Sequence, residues 1–159
     1  MSRLRSRFGE WSIPARSAAL FGSAAREDGD ADSDIDLLLI RQDRTDPDDP
    51  AWAEQIVQLK ADIAAWTGNH TQVYELDVDE LTRHIAAGQR IVHEWRSDAI
   101  TLAGTDVGNL LRELDIARRG ANGERAQRAH HRPAGRGGLH VEGAARVRRR
   151  SMSLSVRRE

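Results

Sequence analysis

Two aspartates one residue apart, Asp34 and Asp36, open the apolar run of residues 35–40 in "SDIDLLLI". In a strand, residues i and i+2 project from one face. The two carboxylates therefore stand together, while Ile35 and Leu37 point the other way. Carboxylates that close repel one another, and each raises its neighbour's pKa. A divalent cation between them removes the conflict. Hard oxygen donors suit Mg²⁺, which keeps several waters and takes further ligands from phosphates.

Gly22-Ser23 supplies a partner for that cation. The pair closes the apolar segment "RSAALF", and ten residues separate it from Asp34. A glycine after a strand lets the backbone approach a ligand closely. Backbone amides and the Ser23 hydroxyl in such a turn can hold phosphate oxygens. No Gly-Lys-Ser/Thr follows, so this is not a P-loop. A phosphate-gripping turn beside a metal-gripping aspartate pair suits two-metal nucleotidyl transfer.

These residues need strands and helices to hold them, and the hydrophobic pattern predicts both. Leu4, Phe8 and Trp11 have helical spacing over 3–11, and Pro14 should stop that helix. Residues 16–21 read as a short strand, 24–33 as a polar loop with a helical turn at its start, and 35–40 as a strand buried on both faces. Asp49-Pro50 is an N-cap followed by proline at N1. The helix after it aligns Trp52, Ile56, Leu59, Ile63 and Trp66, and Gly68-Asn69 ends it. "TQVYEL" (71–76) is a strand rich in β-branched and aromatic residues. Asp77 and Glu80 have capping-box spacing for a helix through Leu81 and Ile85, closed by Gly88. A short helix over 90–97, a strand over 99–104 and a helix from Asp106 to about Arg118 complete the pattern. Val107, Leu110, Leu111 and Leu114 of that last helix point inward. This is an α/β (α+β) chain with a small mixed sheet flanked by helices.

The 159 residues suffice for one such domain with a core, although a hydrophobic content of 39% leaves room for a segment that does not pack. With no cysteine, disulfides and thiolate metal sites are excluded. No apolar run approaches a membrane span and the N-terminus lacks a signal-peptide core, so a cytoplasmic protein without a membrane partner is expected. The net charge of −1 hides an asymmetry: residues 1–117 hold 12 Lys+Arg against 22 Asp+Glu, and residues 118–159 hold 12 Arg against 3 Glu. The expected division is a folded domain over 1–118 and an Arg-rich, largely disordered tail over 119–159, with a helical stretch near 139–150. The tail's Arg, Ala, Gly and His content resembles a GC-rich coding region translated out of frame. That reading is favoured over a nucleic-acid-binding arm. Aspartates 43–49 read as a solvated loop, His70, His84 and His93 as surface or helix-end residues, and Trp52, Trp66 and Trp95 as packing residues.

Gly22-Ser23, ten residues, then Asp34-Ile35-Asp36, with "LFGSAAR" before and "SDIDLLL" after, resembles the signature of the polymerase-beta-like nucleotidyltransferase superfamily. The small prokaryotic minimal, antitoxin-like members are the nearest type. The resemblance covers residues 14–104. It implies a nucleotidyltransferase fold that uses ATP and Mg²⁺, with Gly22 and Ser23 on the triphosphate and Asp34 and Asp36 on the metal. Arg26 stands where such proteins often have arginine, for loop packing or for phosphate contact. Members also use a third carboxylate on a neighbouring strand. Here the matching place, second in "TQVYELD", is Gln72. Glu75 and Asp77 share the opposite face, and Glu75 is the candidate third catalytic acid.

The function so implied is Mg²⁺-dependent transfer of a nucleoside monophosphate, AMP from ATP, onto an acceptor hydroxyl, with a partner toxin protein as acceptor. Aminoglycoside modification and a catalytically weakened nucleotide- or partner-binding module are the alternatives. Nucleic acid is not the expected partner.

Overall fold

In a computed structural model, residues 1–27 and 33–130 are described, with side chains through residue 125. The order of elements is α1 (Ser2–Gly9), β1 (Ser17–Phe21), α2 (Ser23–Arg26), β2 (Ile35–Ile40), α3 (Pro50–Thr67), β3 (Thr71–Leu76), α4 (Val78–Ala86), α5 (Arg90–Asp98), β4 (Ile100–Gly104) and α6 (Val107–His130). The strands form one mixed sheet in the order β3-β2-β1-β4. β1 pairs antiparallel with β2 and with β4, and β2 pairs parallel with β3. A parallel pair needs a long crossover, and α3 provides it. The expected mixed sheet with flanking helices is the observed fold.

Local signals account for most boundaries. The Asp49 side chain accepts from the Ala51 amide, Pro50 occupies the first turn, and Gly68 closes α3 in the left-handed conformation at φ 80°. At α4 the Asp77 side chain accepts from the Glu80 amide at 2.6 Å, and Glu80 returns the bond from the Asp77 amide at 2.9 Å.

Strand alternation divides the core in two. Ala18 and Leu20 of β1 with Leu37 and Leu39 of β2 face α1 and α3, where they meet Phe8, Trp11, Trp52, Leu59 and Ile63. Ala19, Phe21, Leu38 and Ile40 face α4, α5 and α6, where they meet Leu81, Val92, Trp95, Leu110 and Leu111. β2 is central and covered on both sides, which explains its unbroken apolar run.

Three expectations change. Helix α1 ends at Gly9, before Pro14, yet Trp11 stays buried, with its ring 4.9 Å from Phe8 and 5.3 Å from Trp52. Trp66 lies at the end of α3 and is 38% exposed, so it packs far less than Trp52 and Trp95. Helix α6 passes the expected end near Arg118 and continues to His130. Its apolar stripe stops at Leu114, so hydrophobic pattern alone did not signal the extension. The helical stretch expected near 139–150 lies outside the described residues. Among those described, no helix is long and apolar enough to cross a membrane.

Candidate active site

The β1–β2 pairing places Phe21 opposite Asp36, and the β2–β3 pairing places Gln72 on the other side of Asp36. Asp34 precedes β2 by one residue and points the same way, since Gln72 Nε2 donates to Asp34 Oδ2 at 3.4 Å. The structure thus brings Asp34, Asp36 and Gln72 together at one end of the α4–α6 face. Asp34 and Gln72 are exposed and Asp36 is half-buried. Burial pushes the Asp36 carboxyl above the usual carboxylate range, and the charges of Asp34 and Glu94 add to that push.

Gly22 completes the arrangement from β1. Its φ of 69° lies in the region that favours glycine, and a Cβ there would stand 2.6 Å from Asp36 Oδ2. The backbone turn and the Asp36 carboxylate therefore touch only because residue 22 has no side chain. Ser23 opens α2, whose Ala25 and Arg26 amides donate to the Gly22 carbonyl at 3.1 and 3.2 Å. The Ser23 and Ala24 amides, ahead of those two, have no partner within the helix. Arg26 Nη1 donates to Asp98 Oδ2 at 2.6 Å, tying the turn to the end of α5. Hydrogen bonds from Ser97 and Arg26 hold the Asp98 carboxyl below the usual range. Of the two roles open for Arg26, this contact is the loop-packing one.

Glu75 does not join the aspartates. It pairs with Leu39, an odd number of residues from the Asp36–Gln72 rung, and so faces α3. There Arg41 Nη1 donates to its Oε1 at 2.6 Å and Trp52 Nε1 donates to the same oxygen at 2.8 Å. Arg41 is buried and also lies 3.6 Å from the carboxylates of Asp77 and Glu80. Strand alternation and this network together take Glu75 out of the candidate catalytic set. Asp77 belongs to the same network and to the α4 cap.

Sequence reasoning passed over three residues on the site's own face. Tyr74 is 40% exposed, and its ring stands 5.4 Å from Phe21. Glu94 and Asp98 come from α5, which Trp95 anchors 6.1 Å from Phe21. Glu94 and Asp98 flank Trp95 at one and three residues, beside the helix's apolar stripe, but nothing in that spacing points to the aspartates. The described cavities of about 510 and 450 Å³ lie against α1 and α3, on the opposite side of the sheet.

Residues 1–85 match the nucleotidyltransferase domain family, and the chain belongs to that family. Its fold is similar to a crystal structure of a toxin-antitoxin with AMP-PNP, at 15% identity and a TM-score of 0.49 over 81% of this chain and 94% of that one. A mutant of the toxin-antitoxin MntA-HpeT is similar at 14% identity and a TM-score of 0.47, again over 81% and 94%. No curated protein matches the chain.

Proposed function

We propose that the chain transfers a nucleoside monophosphate, AMP from ATP with Mg²⁺, onto a hydroxyl of a partner protein, a toxin in the reading closest to the sequence. The observation that carries this is the contact between the Gly22 turn and the Asp36 carboxylate, with Asp34 beside it. Burial and the charge of Asp34 raise the cost of ionising Asp36, and a glycine keeps the space next to it clear. This donor set fits a hard divalent cation carrying phosphates.

Asp34 and Asp36 would hold Mg²⁺, which when bound neutralises charge on the phosphoryl oxygens. The Ser23 hydroxyl and the first amides of α2 would meet the triphosphate. Asp98 keeps Arg26, and with it the turn, in place. The acceptor hydroxyl would attack the α-phosphorus in line, its oxygen forming the new P–O bond as the bond to pyrophosphate breaks and its proton passes to solvent.

The test is incubation of the full chain with Mg²⁺, ATP labelled at either the α- or the γ-phosphate, and the product of the neighbouring gene. Label from the α-position alone should appear on the partner and disappear in Asp36→Asn. Label from the γ-position would sink the reading. Gln72 favours a second reading, a nucleotide-binding module without turnover, because its amide cannot act as a base. That reading predicts saturable nucleotide binding with no label transfer to any acceptor.

A further inference from the structure

Gln72 stands on the rung of Asp36 and donates to Asp34, so it occupies the position from which a third side chain meets both aspartates. Its amide is neutral. It offers a donor to a carboxylate or one uncharged oxygen to a cation. A two-cation site holds its ions roughly 3.5–4 Å apart, held by phosphate oxygens of the nucleotide and by protein carboxylates. Asp34 and Asp36 are two such carboxylates, and a neutral Gln72 leaves a second ion one anionic ligand short.

Among the described residues, the other acids near this face have partners of their own. Glu94 lies 3.6 Å from Arg90 Nε, and Asp98 accepts from Arg26. Glu75 is on the opposite face under Arg41 and Trp52. Among the described residues, no group of three or more His, Cys, Asp or Glu side chains could hold a metal ion.

We propose that the site binds a single divalent cation together with the nucleotide, and that the neutral amide of Gln72 sets this limit. The inference rests on the site being a nucleotide–cation site, and it departs from the two-metal arrangement that the aspartate motif suggests.

The stoichiometry can be read directly. Mn²⁺ is titrated into the full chain at saturating α,β-methylene-ATP, and bound ion is counted by electron paramagnetic resonance. The Asp34→Asn/Asp36→Asn double variant supplies the background. Wild type should hold one Mn²⁺ per chain above that background. Gln72→Glu, and independently Gln72→Asp, should hold two. Gln72 is exposed, and unchanged thermal unfolding without ion will show that each variant is folded. Two ions on wild type would overturn the single-cation limit and leave the nucleotide–cation reading standing. One ion on both folded carboxylate variants would overturn the role of Gln72. No ion above background on wild type would overturn the site reading itself.

Discussion

Glu75 and Asp36 lie on neighbouring strands of one sheet, yet their carboxylates live under opposite conditions. Glu75 faces α3, where a buried guanidinium and an indole N–H both donate to one of its oxygens. Asp36 faces α5, where burial pushes its pKa up and the charges of Asp34 and Glu94 add to the cost. The first acid is spent on joining β2, β3 and α3. The second is left ready for a cation. An acid's catalytic promise therefore depends on which face of the strand it occupies, and a shift of one residue decides that.

The comparison can be broken from either side. The largest effect belongs to the satisfied face. Trp52 is fully buried and both packs against Trp11 and bonds to Glu75. Trp52→Ala should cost about 3–5 kcal/mol in chemical denaturation. Arg41→Ala comes next, at about 2–3 kcal/mol, because it leaves Glu75 without its cation in a partly buried setting. If Arg41→Ala unfolds at the wild-type denaturant midpoint, the account of that face is wrong.

Gly22→Ala should cost about 1–3 kcal/mol, because its positive φ with ψ −155° is a conformation that glycine alone adopts readily. It should also weaken nucleotide binding, measured by calorimetry, through its clash with Asp36. Asp36→Asn has the smallest effect on stability, and the opposite sign. In cation-free protein the raised pKa means that the folded state holds this proton to higher pH than the unfolded state. The fold therefore loses stability as pH rises through the raised value. At pH 7 in chelator, Asp36→Asn should be more stable than wild type by about 0.5 kcal/mol after solvent screening. Added Mg²⁺ and nucleotide should stabilise wild type and leave the variant unmoved. Thermal unfolding with and without Mg²⁺ and nucleotide reads both changes.

Glu75→Gln separates the faces most directly. It should lower stability while the protein that remains folded keeps its nucleotide affinity. A complete loss of affinity in that folded fraction would return Glu75 to the site.

The sequence carried the strands, the crossover helix and the aspartate–glycine pairing because these depend on local spacing and capping. The run Ile35 to Ile40 suits a strand covered on both faces, and Asp77 with Glu80 has the capping-box spacing that starts α4. The role of Glu75 was not legible, because Arg41 and Trp52 reach it from 34 and 23 residues away. Neither were Glu94 and Asp98, which meet the site only once α5 folds across the sheet. Helix α6 outran its apolar stripe, so hydrophobic periodicity could not mark its end.

The two cores also differ in when they can exist. Nearly all of the α1–α3 core comes from residues 8–63, with Leu102 of β4 as a late addition. The core beneath the aspartates waits for residues 81–111. During synthesis, a chain can close the Trp52 side while Phe21 and Leu38 still lack their cover. Asp34, Asp36 and Gln72 are aligned once β3 has joined β2, but α5 reaches them last. The chain thus supplies the residues of the face that holds the protein together before those that complete the face that would meet its ligand.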